Sequence, residues 1–309
     1  MAAAPGATIY HSRSWAEILQ RTFGYQPRPR LFRFDDGTVA LLPAMRVGSR
    51  SSLWQDLRAV PSGYGAPISD RPLTARQRRQ LWRAITEPCA TAAMLSVRFG
   101  PGTEPAWPEL GSVSRLVRTE QRSDFTHALD LRLGFDALWT SFHKHVRYYH
   151  GRGLKDGLSV RSGTTAEDVD RFYPSYEHNS RAWPAHDRKP RSLFHNMVAA
   201  GAARVWLVED AAGATLGGAV LLEFGASVHV WAAARDPRLD NRHPVHRVLY
   251  PEMIRDACER GFSWFDFGSS QAWARCKISK SSSGRSSWIT RYGTLRDRWP
   301  APCGGSARA

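Results

Sequence analysis

Between Arg204 and Ala232 the sequence spells out three strands in succession, and no other feature constrains the fold as much. Arg204-Val205-Trp206-Leu207-Val208-Glu209 and Thr215-Leu216-Gly217-Gly218-Ala219-Val220-Leu221-Leu222 are rich in β-branched and apolar residues, and Asp210 to Gly213 between them has turn chemistry. Ser227 to Ala232 supplies the third run. Helices flank this hairpin. Thr165 with Asp168 three residues on, ahead of Val169, Phe172 and Tyr173, is a capping box, and a second helical stretch covers Ser192 to Ala200. After the strands, Val245, Leu249, Met253, Ala257 and Cys258 recur at helical spacing before Gly261, with Pro251 predicting a kink or a late start.

The first part of the chain has the same order. Ser14 and Glu17 predict a capped helix from Ser14 to Phe23; Leu31–Phe34 and Thr38–Pro43 then read as strands joined by Asp35-Asp36-Gly37. Between the two parts, Phe135, Leu138, Phe142, Val146 and Tyr149 predict one amphipathic helix with a basic outer face. The repeated order predicts an α/β fold with mixed sheets in two domains, 1–130 and 131–309, the second opening with a basic linker helix over 131–158.

Composition narrows the class. With 42% hydrophobic residues, 12 Trp and 13 Phe among 309 residues, the chain has ample core material for a globular protein. No apolar run is long enough for an integral membrane segment, and Met1 to Gly6 lacks the pattern of a signal peptide, so the cytoplasm is the expected compartment. Cys89, Cys258, Cys276 and Cys303 have neither metal-ligand nor disulfide-framework spacing, and no metal is expected. A net charge of +15 favours polyanionic partners such as RNA, phosphorylated carriers or acidic lipid.

Four places could carry chemistry. Asp266 lies between Phe265 and Phe267 at the end of an aromatic strand that runs into Gly268-Ser269-Ser270; its carboxylate either serves a cleft or faces solvent while the rings face the core. His143 to Lys155 combines cations, aromatics and glycines, with Lys144 and Arg147 on one helix face. His229 and Trp231 share a strand face, where they line a pocket or pack against a helix, packing being the expected role of an isolated histidine. Tyr64 sits in a Gly-flanked loop that allows close approach to a ligand.

Taken in order, these residues resemble the FemAB-like branch of the GNAT superfamily, including BioF2-like acetyltransferase domains. The resemblance runs from about Ala7 to Gly268. It is carried by His11-Ser12 with Trp15, Gly24-Tyr25, the Tyr64-Gly65 loop, the basic helix ending in Gly151 to Leu158, the Leu216 to Leu222 strand, and Tyr250, Glu252, Ile254, Ala257 and Gly261 leading into Phe265-Asp266-Phe267-Gly268-Ser269.

The resemblance implies two tandem GNAT-like domains and transfer of an acyl or aminoacyl group to an amine of a cell-envelope, polysaccharide or secondary-metabolite acceptor, as in peptidoglycan cross-bridge synthesis. It implies acyl-CoA or aminoacyl-tRNA as donor, a small-molecule, glycan or peptide amine as acceptor, and peripheral contact with envelope precursors. By the same analogy Asp266, Ser269 and Lys277 would stand at the reacting groups, Lys144 and Arg147 would hold a phosphate, and Tyr64, Trp231 and Tyr250 would line the cleft. The usual coenzyme A signature is absent between Trp231 and Tyr250, where Arg235-Asp236-Pro237-Arg238 stands, and the coiled-coil arm of the cross-bridge enzymes is missing. Lys277 to Trp288 reads as too polar for the family's closing strand. A non-catalytic adaptor that binds RNA or phosphorylated polymers through Lys144 to Lys155 is the competing expectation.

Overall fold

The computed structural model describes residues 4, 6–47, 56–59, 63–86, 94–98, 118–239, 243–269 and 285–296, with the backbone alone described for 56–59, 94–98, 118–125, 285–296 and residues 86, 186 and 269. The first helix, α1 (Arg13–Phe23), is capped by Ser12 rather than Ser14: the Trp15 N–H donates to Ser12 Oγ at 3.1 Å. Glu17 instead pairs with Arg13 on the exposed side. Strands β1 (Gln26–Pro27), β2 (Arg30–Arg33), β3 (Val39–Leu42), β4 (Ala44–Val47), β5 (Asp56–Ala59) and β6 (Ile68–Ser69) follow, then helix α2 (Ala75–Thr86) and strands β7 (Met94–Arg98) and β8 (Arg118–Asp130).

The single helix expected over 135–149 is two, α3 (Phe135–Ser141) and α4 (Lys144–Lys155). Phe142 is extended, His143 Nδ1 accepts the His145 N–H at 3.2 Å as a new N-cap, and Arg147 Nη1 donates to the Thr140 carbonyl at 2.6 Å where α3 ends. The apolar spacing spans both helices, but local capping divides them. Beyond lie β9 (Ser159–Gly163), α5 (Ala166–Ser180), α6 (Arg191–Ala199), β10 (Ala203–Glu209), β11 (Thr215–Phe224), β12 (Ser227–Arg235), α7 (Val245–Glu259), β13 (Trp264–Ser269) and β14 (Arg285–Arg296). The Thr165–Asp168 capping box forms as expected, and α7 starts directly after Pro244 and continues through Pro251.

Among the described residues eleven strands form one mixed sheet in the order β1-β4-β5-β7-β14-β8-β13-β12-β11-β10-β9, and β2-β3-β6 form a small second sheet. The segment read as too polar to close the fold enters the sheet all the same from Arg285, because β14 pairs with β8 on one side and β7 on the other. Trp288, Ile289, Thr290, Tyr292 and Thr294 give it the β-branched and aromatic content that suits a strand despite its polarity.

Helices cover both faces of the sheet's C-terminal half. On one face α1, α5 and α6 bury Trp15, Phe172 and Phe194 completely against Val205, Leu207 and Val220. On the other, α3 and α7 bury Leu138, Val248 and Met253 against Val208, Val228 and Phe265, with α4 packed on α7. Strand alternation therefore assigns Phe265 to the α7 face and Asp266 to the α1 face.

Candidate active site

Three short-range features aim Asp266. It is the last residue of β13 in parallel register with β12, opposite His229, and beyond that pair the two strands share no ladder contact among the described residues. On its other side β13 pairs with β8 through a bulge between Asp266 and Ser269, a device that bends a strand and redirects a side chain. Gly268 makes the bulge possible: its φ is +79° and a Cβ there would stand 2.7 Å from the Val230 carbonyl oxygen.

The carboxylate of Asp266 is buried, yet each oxygen has partners. Oδ2 accepts from Tyr64 Oη–H at 3.2 Å and lies 2.9 Å from His229 Nδ1; Oδ1 accepts from the Gly268 N–H at 2.9 Å and faces Thr126 Oγ1 at 2.5 Å. Thr126 Oγ1 is also 2.6 Å from the Gly268 carbonyl, so its single proton serves two acceptors. Burial pushes the Asp266 carboxyl up, but the adjacent His229 charge and the bonds from His229, Thr126 and Gly268 outweigh it and hold the group below the ordinary carboxylate value. When the His229 ring is neutral, an ionised Asp266 fixes its one proton on Nδ1 and leaves the lone pair on Nε2, where no hydrogen bond forms among the described residues.

Aromatic rings enclose this pair. Tyr10 and Tyr64 stand edge-on to the His229 ring with centroids 6.0 and 5.6 Å away, and Tyr10 also meets Trp15 at 5.0 Å. The Tyr64 loop is held by His11, whose Nε2–H donates to the Ala66 carbonyl at 2.9 Å while Nδ1 accepts the Thr8 N–H at 3.1 Å. Burial pushes the His11 pKa down, in keeping with that neutral, two-sided role. The enclosed, weakly hydrated setting strengthens each electrostatic contact with Asp266.

The structure brings Tyr64, His229 and Asp266 together. Trp231 is on the same face but packs between Trp15 and Phe194, with centroids 6.4 and 5.3 Å away. Tyr250 is on the opposite face, beside Phe267. Lys144 and Arg147 also lie on that opposite face, in α4, with Lys144 exposed and Arg147 engaged on the α3 carbonyls, so the basic segment does not face Asp266. Ser269 is described by its backbone alone, and Lys277 is outside the described residues. Sequence reading missed the role of His229, which pairs with Asp266 instead of merely packing; it missed Thr126 and Tyr10, and it named His11 without assigning it a role. Two partners, Tyr64 and Thr126, lie 202 and 140 residues from Asp266 in the chain, so only His229, 37 residues away on the preceding strand, could have been found, from the His-x-Trp strand leading toward Asp266.

Among the described residues no cluster of three or more His, Cys, Asp and Glu could hold a metal ion, and no helix is long and apolar enough to cross a membrane. The model of a GNAT acetyltransferase domain family matches residues 140–273. FemX has a TM-score of 0.65 at 14% identity, covering 94% of this chain and 93% of its own. L-PGS from Bacillus licheniformis has a TM-score of 0.54 at 10% identity, covering 93% of this chain and 92% of its own. A conserved protein of unknown function from Bacteroides thetaiotaomicron has a TM-score of 0.58 at 10% identity, covering 95% and 93%. Among the curated proteins none matches in sequence. Residues 140–273 thus match the model of a GNAT acetyltransferase domain, within a chain that has the fold of FemX over nearly its whole length.

Proposed function

We propose that the protein is a cytoplasmic N-acyltransferase or aminoacyltransferase that moves an acyl group from acyl-CoA or aminoacyl-tRNA to an amine of a cell-envelope, polysaccharide or secondary-metabolite acceptor. The GNAT match and the FemX and L-PGS folds support the reaction class. One observation carries the reading: His229 is locked to Asp266 through Nδ1 at the point where β12 and β13 part, which leaves Nε2 as a base in a ring-lined recess. The acceptor nitrogen attacks the donor carbonyl carbon, His229 Nε2 takes the proton shed by that nitrogen, and collapse of the tetrahedral adduct breaks the C–S or C–O bond of the donor. The leaving sulfur or oxygen takes the proton back from His229. Asp266 stabilises the imidazolium during that interval. Ser269 and Lys277 as further catalytic groups, and division of the chain at 130/131 into two GNAT-like units, belong to the same reading.

The test is transfer itself. The full chain is incubated separately with acetyl-CoA and with charged tRNA over a panel of amine acceptors, and adducts are read by mass spectrometry. Transfer by wild type and its loss in His229→Gln is the expected result. No transfer from either donor, together with salt-sensitive retention of RNA, favours the adaptor instead.

A further inference from the structure

Away from the Asp266 cluster, the outward face of α4 has no assigned role. Lys144, His145, Tyr148, Arg152 and Lys155 are all exposed and recur at helical spacing on one side, while His150 and Gly153 are buried on the side toward α7. The helix contains no acid; the neighbouring Asp156 engages Arg152 at 3.4 Å, with both side chains more than half exposed. Apolar groups accompany the cations. Tyr148 is 61% exposed, Leu154 44%, and Leu133 just before α3 is 55%. These are three of the five large hydrophobic side chains left exposed among the described residues, and all three fall within 131–155.

This combination discriminates between polyanions. A nucleic-acid backbone would accept the cations and stack on Tyr148, but it offers leucine no apolar environment. An acidic bilayer receives both kinds of group, with ammonium and guanidinium heads at the phosphate level and apolar side chains just beneath. We propose that α4 docks the protein on an anionic lipid surface, with Lys144, Arg152 and Lys155 at the headgroups, Tyr148 inserted between them and Leu154 at the flank of the same face. The net charge of +15 adds long-range attraction to the same surface. Docking there leaves the opposite sheet face, with His229 and Asp266, uncovered.

Sedimentation of the full chain with vesicles of one part phosphatidylglycerol to two parts phosphatidylcholine, against phosphatidylcholine alone, tests this. Wild type is expected to sediment with the acidic vesicles and to be released at high salt. Lys144→Glu, Arg152→Glu and Lys155→Glu together lower partitioning by at least about a hundredfold, since each cation near an anionic surface is worth about fivefold and the three carboxylates add repulsion. Tyr148→Ser with Leu154→Ser keeps every charge, weakens binding several-fold, and makes the remainder more salt-sensitive. If the triple variant misfolds by circular dichroism, Lys144→Gln with Lys155→Gln replaces it, with an expected loss of about twentyfold. Equal binding by wild type and these variants, or equal binding to neutral vesicles, overturns the proposal. Absence of vesicle binding combined with filter retention of homopolymer RNA that the triple variant loses also overturns it and makes the face a nucleic-acid surface.

Discussion

His229 and Asp266 are cross-strand neighbours at the last ladder pair of β12 and β13, with Nδ1 and Oδ2 2.9 Å apart. If His229 is the base, His229→Gln lowers the transfer rate by about 10²- to 10⁴-fold while the thermal midpoint changes little. Asp266→Asn is expected to cause a loss of similar size, because the amide no longer fixes the proton on Nδ1. Single-turnover rates of folded variants check both. A variant that keeps wild-type rates removes its residue from the mechanism.

Tyr64→Phe removes one donor to Asp266 Oδ2 and leaves the His229 contact in place. The expected stability cost is about 1 kcal/mol, as for a typical intramolecular hydrogen bond. A shift of the acid limb of the pH–rate profile separates a role in setting the pair's charge from one in packing alone.

Gly63→Ala tests the tie between the loop and the site. A Cβ at Gly63 would lie 2.2 Å from Tyr10 Cδ1, inside the ring that walls His229, so either the loop or the ring must move. Overpacking of this kind costs about 1–3 kcal/mol, and the loss of activity should exceed that of an equally destabilising substitution elsewhere. Chemical denaturation and turnover measured on one preparation give both numbers.

The α5 cap provides a control remote from the chemistry. The Thr165 N–H donates to Asp168 Oδ2 at 2.9 Å, and the Asp168 N–H donates back to Thr165 Oγ1 at 3.2 Å. Thr165→Ala should cost about 1 kcal/mol in urea titration and leave kcat unaltered.

Loss of stability in acid is expected from His246 in α7. Burial, with the Arg235 charge adding to it, pushes His246 from 6.5 down to about 4. Between those values the unfolded chain binds a proton that the folded chain does not, so stability falls as pH drops through the window, by at most about 3 kcal/mol. His246→Leu should flatten the urea midpoint across this interval, and an unchanged slope would rule out His246 as its source.

Much of the scaffold was legible because its signals are local. Thr165 and Asp168 are three residues apart, and the hairpin strands of β10 and β11 announce themselves by unbroken apolar runs around Asp210 to Gly213. The split between α3 and α4 escaped periodicity, since Phe142 and Val146 keep helical spacing across a break made by the His143 cap and the Arg147 bond to Thr140. The site escaped for a different reason. Asp266 could be flagged as an acid between aromatics, but its partners come from a loop at Tyr64, a strand at Thr126 and another at His229, and only folding makes them neighbours. The basic helix was visible and correctly placed in the chain. Its sheet face was not, because strand alternation separates Phe265 from Asp266 only after the register of β13 is known.

The short 3₁₀ turn at Ile9–His11 has a practical consequence for anyone handling this protein. Because Tyr10 leans on the imidazole of His229 and His11 clamps the Ala66 carbonyl of the Tyr64 loop, shortening the start of the polypeptide by a dozen residues is expected to open the His229–Asp266 pair to water and release the phenol of Tyr64. Purification handles fused at that end should therefore be tried against handles fused elsewhere before an inactive preparation is taken at face value.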